Sequence, residues 1–587
     1  MSNTACRSFP IRRIIPVSMV AVVVFSSCGA RIPEMKVSLE RLPPGSVDHV
    51  NREDSLHDGF FADSAWPGAH RDVRNSDYEP YPSPDSVVPS WQVLEGNNFF
   101  MGPSVDAAGN VYVTTAGGPG FSHLHSYDRF GNLRWESPPM ESFDDLDYKA
   151  FVSAPVLGDD DDIYLADANQ LRRYRASDGE EVWVIDLPPL GINDLGFSAF
   201  PLSGDLLGYA FGDGNVAVFR RNNGELAYPV LQLPGVDGPE EIETPPGTFE
   251  NLVYGDFIQD TWNAIFGMEI EMCNTPCVHP ETGRIFIIAT GRVPDETVLY
   301  GIDLGEGGLE IAFETLIGTT GSGTSPTLGH DGKYVYVTDG LGRLNGVDAE
   351  TGEIAWASEE TSVTGVSPTT TPDNRVYTSD FNWLKCWDGS NGDIIWKTDV
   401  GELGRMYVKG FPAKYGRPWA DIVSGVLATE DRLWVIVAVS TVIDIPEDKQ
   451  QGSKSPIANR DPSIYKQPLG FFLASYDLDG RLVSHVPYPD SGALMAQGFD
   501  GRIYSTSLSV VNSIALGIED RFPFFMRNTP DVVGGLTVYE PESFTAYAEK
   551  VESWIAARPD DERSTAAARA MEAALPSIRE QAELRGE

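Results

Sequence analysis

Along most of this chain, apolar residues alternate with polar ones over four to six positions, and Gly, Asp or Asn then breaks the run. The strings "IYLA", "VYVT" and "IFII" are rich in β-branched and aromatic residues and sit between turn residues, a pattern that predicts short strands joined by hairpins. The strands fall into units. A unit opens on a small residue and Pro, as in "SAPVLGDDDDIYLAD", "NTPCVHPETGRIFIIA", "TSPTLGHDGKYVYVTD" and "VSPTTTPDNRVYTSD". It closes on a turn, a Gly, a short stretch carrying at least one apolar residue, and an aromatic. "YDRFGNLRW" ends at Trp135, "RASDGEEVW" at Trp183, "VDAETGEIAW" at Trp356 and "WDGSNGDIIW" at Trp396. Worn copies end at Tyr228 and Phe313, and "YDLDGRLVSHV" carries Val483 at that place.

Where no insertion intervenes the closing residues recur every 40 to 48 positions, and one unit supplies four antiparallel strands, which is the period of a propeller blade. The last unit, "ALMAQGFDGRIYSTSLSVVNSIALGI", lacks a closing element, while "VVPSWQVLEG" with Trp91 stands alone before the first unit. An unclosed ring would leave a strand edge unpaired, so the N-terminal strand is expected to complete the final blade. The expectation is an all-β, eight-bladed propeller with N-terminal strand closure; seven is the alternative if the Tyr228 unit does not form a blade. Gly permits the tight turn, Asp can bond its amides, and the indoles of Trp91, Trp135, Trp183, Trp356 and Trp396 are expected to pack between blades rather than stack on a ligand.

These repeats resemble those of the quinoprotein dehydrogenase-like, or PQQ-like, β-propeller family. "VDAETGEIAW" is similar to its tryptophan-docking motif, and "WPGAHRDVRNSDYEPYPSP" (Trp66 to Pro84) resembles the segment that precedes its first blade. The resemblance covers residues 66–525 and implies the fold. In the enzymes of the family a Trp floor, a lid of adjacent cysteines and Ca²⁺ beside a catalytic Asp hold PQQ. No two cysteines are adjacent here, and no residue matches the calcium ligands or the catalytic Asp, so no catalytic or cofactor-binding residue is carried over.

Residues 1–27 form an export signal: Arg7, Arg12 and Arg13 lead into the apolar "IIPVSMVAVVVF", followed by "SSCGA". "FSSC" resembles the lipobox of bacterial lipoproteins and makes Cys28 the lipidation site, with ordinary cleavage nearby as the alternative. Gly29 in place of Asp points to the outer membrane. Residues 28–65 read as a linker. Insertions break the repeat at about 229–272 and 441–470, the first with residues for a short helix and the second a polar loop. Residues 526–587 read as a helical extension. Its first helix presents Phe544, Tyr547, Val551, Trp554 and Ile555 at helical spacing, and its second is a frayed tail or a partner-binding helix that Pro576 should kink or end.

Charge narrows the partners. Lys and Arg number 43 against 86 Asp and Glu, a net charge of −43. Such a surface argues against nucleic acid and against electrostatic docking to anionic lipid; a lipid anchor would be the membrane contact. "CNTPCVHP" offers Cys273 and Cys277 as a disulfide, as separate thiols or, with His279, as metal ligands. In a straight strand the two cysteines would stand too far apart to bridge, so a disulfide requires a turn between them. "DDDD" (Asp159 to Asp162) reads as a solvated turn, and His123 and His125 as structural. The function expected is a non-catalytic, monomeric envelope scaffold that binds an envelope protein at the periplasmic side of the outer membrane. Its layout resembles the propeller lipoproteins of outer-membrane barrel assembly, although this chain is longer and more acidic. The alternative is a PQQ- and calcium-dependent oxidoreductase acting on an alcohol or sugar.

Overall fold

In the computed structural model, apolar runs become strands buried on both faces, and alternating runs become strands at a rim. The structure describes residues 56–57, 61–95, 99, 101–114, 122–139, 153–159, 162–166, 170–192, 196–202, 204–234, 272–292, 296–318, 324–339, 342–362, 367–380, 382–407, 409, 416–444, 464–489, 491–508, 535–558 and 562–587. Eight sheets follow one another along the chain. Blades 1 to 6 span residues 104–136, 156–186, 196–232, 272–318, 327–361 and 369–399; blade 7 spans 417–488, and blade 8 combines 491–541 with Val87–Val93. The first strands of blades 4 to 8 touch in succession, and that of blade 8 touches that of blade 1, so the eight sheets close into a ring.

Within a blade the second strand is enclosed, as in Val111–Thr114 and Asp162–Ala166, where every residue is buried. The fourth strand alternates, as in Leu482–Tyr488, because one of its faces meets solvent. Blade 8 is completed by the N-terminal strand: Val87–Val93 runs antiparallel to Gly535–Pro541, from Val87 opposite Pro541 to Val93 opposite Leu536. The third strand of this blade therefore lies at 535–541, beyond the boundary at 525 expected from the sequence. Blade 7 is also larger than expected. Its second and third strands, Leu433–Asp444 and Ile464–Tyr476, carry the ladder well into the segment read as a polar loop. The short helix expected in the first insertion lies outside the described residues.

The closing aromatic of each blade lies against the glycine of the last hairpin in the next blade. Trp91 meets Gly131, Trp135 meets Gly179, Trp183 meets Gly224, Tyr228 meets Gly308, Phe313 meets Gly352, Trp356 meets Gly392 and Trp396 meets Gly480. Four of the indole N–H groups also donate to a carbonyl of that neighbour: Trp91 to Arg129, Trp135 to Ala176, Trp183 to Arg221 and Trp396 to Leu478, at 2.9–3.0 Å. This explains Val483. The blade after blade 7 has a chain junction where the last hairpin should be, so no glycine turn awaits an aromatic, and Val483 is left exposed. At Gly392, φ is 77° and an added Cβ would stand 2.4 Å from the Trp356 ring. Gly392→Ala is expected to cost about 2–4 kcal/mol from the disfavoured φ and the overpacked ring together, read as a fall in the urea midpoint with unchanged m-value.

After the ring come two helices, α2 (Phe544–Ala557) and α3 (Glu562–Arg585), numbered after the short α1 (Gly401–Tyr407) between blades 6 and 7. Ser543 caps α2 by accepting from Ala546 N–H, and the carboxylate of Glu587 takes a second amide, that of Thr545. The second helix is not a frayed tail. It buries Ala567, Met571, Ile578 and Ala582, runs through Pro576, and is tied down by Arg502 to Gln581 and by Arg585 to the carbonyl of Pro541.

Candidate functional site

One buried segment meets nearly every blade at the axis of the ring. Residues 61–83 lie across it as a strap. Trp66 exchanges backbone bonds with Val105 of blade 1, and Pro67 accepts from Leu157 of blade 2. Val73, Arg74, Ser76 and Asp77 then accept from Val278, Leu328, Thr370 and Ala428 of blades 4, 5, 6 and 7. Tyr78–Glu79 continues as a parallel strand beside Leu427–Thr429, and the Tyr81 hydroxyl donates to Gln497 of blade 8. The contacts fall at the last residues of the blades' first strands. The strap thus occupies the end of the axis where first strands turn into second ones. The ends of the fourth strand of blade 3 and of the second strands of blades 7 and 8 lie on the opposite face.

The strap is polar yet buried, so its charges are paired. Arg71 donates from Nε to Glu79 at 3.0 Å and from Nη1 to Asp72 at 3.3 Å. Asp72 also takes the Ser76 hydroxyl and the amides of Arg74 and Ser76. Burial pushes the Asp72 carboxyl up, but Arg71 and Arg74 outweigh it and hold the group below its usual range. For Glu79 burial wins: it lifts the carboxyl to about 8, with Arg71 offsetting only part. Arg71, Asn75 and Asp77 adopt φ of 72°, 57° and 50°. Asn and Asp tolerate this region, whereas Arg is strained there and is held by its two carboxylates.

His70 links the strap to blade 5. Its Nδ1 lies 2.9 Å from the Asp77 carboxylate and its Nε2 3.1 Å from the Ser325 hydroxyl. The order Ser, His, Asp is that of a nucleophilic triad. Here, however, Ser325 has no exposed surface, and its oxygen already accepts the Thr275 amide at 3.2 Å. No face of the hydroxyl is left for a substrate, so the row fastens the strap. Sequence reading singled out Trp66 to Pro84 only as a segment that precedes a first blade and gave its polar residues no role, because the partners that bury them lie up to 467 positions away.

The strap carries a pH-dependent expectation. The Glu79 carboxyl is raised in the folded chain from 4.5 to about 8, so its contribution is full below pH 4.5 and is lost as pH rises through 8. Burial does the reverse to His57 and His125, each lowered to about 4, and also lowers His123, so their contributions are lost as pH falls below 6.5. Between pH 6.5 and 8 Glu79 acts without them. Stability in this window should fall by about 2 kcal/mol in the native chain and stay flatter in Glu79→Gln, measured by denaturant unfolding at fixed pH.

The other residues singled out from the sequence have structural partners. His123 lies against Ser137 and the Tyr174 hydroxyl, and His125 stacks on Tyr127. The acidic turn is not simply solvated, since Asp159 pairs with Arg221 and Asp162 with Arg173. Cys277 is a buried thiol whose pKa burial pushes up. It shares the strand Met272–Val278 with Cys273, and a bulge falls between them. The side chain of Cys273, and with it the disulfide, lies outside the described residues, as does Cys28.

PQQ with Ca²⁺ would need carboxylates and amides gathered under a flat aromatic. Among the described residues no three His, Cys, Asp or Glu side chains form a group that could hold a metal, and Asp72, Asp77 and Glu79 at the axis are committed to Arg71 and His70. The described donor set does not fit the cofactor.

Comparison with known proteins agrees with the repeat. A family model described as outer membrane protein assembly factor BamB matches residues 89–234 and 340–412. The BamB protein of Shewanella oneidensis is 26% identical over 235 residues, covering 38% of this chain and 58% of that protein, less than two thirds of its length. A europium-containing methanol dehydrogenase superposes with a TM-score of 0.50 at 12% identity, over 81% of this chain and 98% of that one, a likeness of fold. A BamB structure from Moraxella catarrhalis aligns at 0.40 and 13% identity over 78% of this chain and 98% of that one, too loosely to carry an argument. Repeat and ring give the chain the eight-bladed β-propeller fold, and the family model matches it over part of its length.

Proposed function

We propose that this protein is a non-catalytic scaffold of the bacterial cell envelope, tethered to the outer membrane through a lipid on Cys28 and serving the assembly of outer-membrane proteins from the periplasmic side. The observation that carries this reading is the match to the outer-membrane assembly factor over blades 1–3, part of blade 5 and blade 6. The strap supports it. It fills one end of the axis with groups that are paired to one another, an arrangement suited to a rigid body that presents surface. The partner is an envelope protein, bound by a monomeric propeller. The oxidoreductase alternative has the fold in its favour but lacks a fitting donor set among the described residues.

Depletion of the protein in its host, with the outer-membrane fraction quantified by mass spectrometry, tests the reading. Barrel proteins should fall together, and a barrel-assembly component should co-purify from detergent-solubilised envelopes. Unchanged barrel levels with no such component recovered would contradict the proposal.

A further inference from the structure

A second site lies away from the axis, on the outer rim between blades 5 and 6. The last strand of blade 5, Ile354–Thr361, ends beside the hairpin of blade 6 formed by Arg375–Asp380 and Trp383–Asp388. Between them is a pocket of about 370 Å³, within the roughly 300–1,000 Å³ of small-molecule sites. Trp383 forms one wall. Unlike the closing tryptophans it is 37% exposed, and it meets no glycine of a neighbouring blade.

The polar groups around the indole are of both kinds. Lys385 lies buried at the base, donating to Asp380 at 2.9 Å and to the carbonyl of Thr361. An ammonium has three N–H donors, so one remains. Lys397 stands 5.6 Å from the Trp383 ring centroid and is held by Glu360 at 2.9 Å. Glu359 lines the same pocket and has no hydrogen-bond or ion-pair partner among the described residues.

We infer that this pocket binds a carbohydrate, with a pyranose ring laid on Trp383 and its hydroxyls taken by Glu359, Asp380 and the two lysines. A flat aromatic suits a ligand with one apolar C–H face. Donors and acceptors mixed at its edge suit hydroxyls, which are both. A simple cation fits less well, because two ammonium groups already occupy the pocket and one stands over the ring. Lys397 is itself 42% exposed on a flexible stem and can move from the indole to a hydroxyl as the sugar enters. The inference is independent of the scaffold reading: a glycan could be held by either a scaffold or an enzyme at this rim.

Saturation-transfer NMR on the full mature chain tests it, with maltotriose, chitotriose and a set of methyl pyranosides as probes. Saturable transfer to pyranose C–H protons is expected for at least one probe. It should weaken at least fivefold in Trp383→Ala, persist in Trp383→Phe and weaken in Glu359→Gln, all with unchanged circular dichroism. No saturable transfer from any probe would overturn the inference, as would equal transfer in Trp383→Ala. Capture of a lysine-rich peptide in place of the sugars would overturn it too, assigning the acidic rim to cations.

Discussion

A chain that stops at residue 534 will not form a soluble ring, whereas one that stops at Glu542 will. The two truncations differ by one strand. Gly535–Pro541 lies between Ile503–Leu508 and Val87–Val93 in blade 8, and among the described residues it is the only strand that pairs with the N-terminal one. Without it Val87–Val93 has no partner, blade 8 keeps two strands, and Trp91 loses the sheet that sets it against Gly131. A closed array that cannot close exposes its edges and both flanking blade faces. The loss exceeds the whole stability of a typical domain, about 5–15 kcal/mol. Removal of α2 and α3 alone leaves every described strand of the ring in place but bares the surface under Phe544, Tyr547, Met571 and Ile578. That chain should be folded and less stable. Circular dichroism and size-exclusion chromatography of the two truncated chains decide the matter; a soluble, cooperatively melting chain ending at 534 would show that the N-terminal strand does not depend on this ladder.

Arg71→Ala is expected to destabilise the fold by about 3–5 kcal/mol, because it removes the counter-charge of buried Glu79 and the larger of the two that hold buried Asp72. Glu79 has no exposed side-chain surface and Asp72 has 5%. Glu79 can escape part of the penalty by keeping its proton, since burial already lifts it to about 8. Asp72 cannot do so as readily. Its remaining partners, the Ser76 hydroxyl, two amides and Arg74, favour the ionised form. The loss should therefore grow as pH rises through 8. Adding Glu79→Gln to Arg71→Ala should recover part of it, a coupling that a double-mutant cycle in urea reads directly. Equal losses with and without Glu79 would mean that Arg71 acts through Asp72 alone.

How much of this was legible in the sequence follows from where the partners lie. The blades were legible because each closing motif is local: turn, Gly, apolar residue and aromatic stand within ten positions, and the next copy supplies the glycine it packs on. Even the missing aromatic at Val483 was visible, and the ring closure explains it. The strand at 535–541 was missed although "LTVYE" alternates, because 26 residues separate it from Leu508 and the helices follow directly. The role of the strap was missed for a deeper reason. A polar segment reads as solvated until its partners are known, and those of Arg71 become evident only when the segment turns back on itself inside a ring of seven contacting blades. The second helix was misread because its Ala-rich surface carries a weak apolar stripe; burial of Met571 and Ile578 depends on a face that α2 and blade 8 build together. The pocket at Trp383 had no sequence signal, since the residue begins a strand like many others and only its exposure sets it apart.

The central proposal is that the repeat builds a scaffold rather than a PQQ-dependent oxidoreductase. Titration of the purified mature chain with PQQ and Ca²⁺, followed by absorbance and by dye reduction in the presence of alcohols and sugars, tests it most directly. The account predicts no stoichiometric uptake and no substrate-dependent turnover. Uptake of one PQQ per chain with alcohol- or sugar-dependent dye reduction would contradict it.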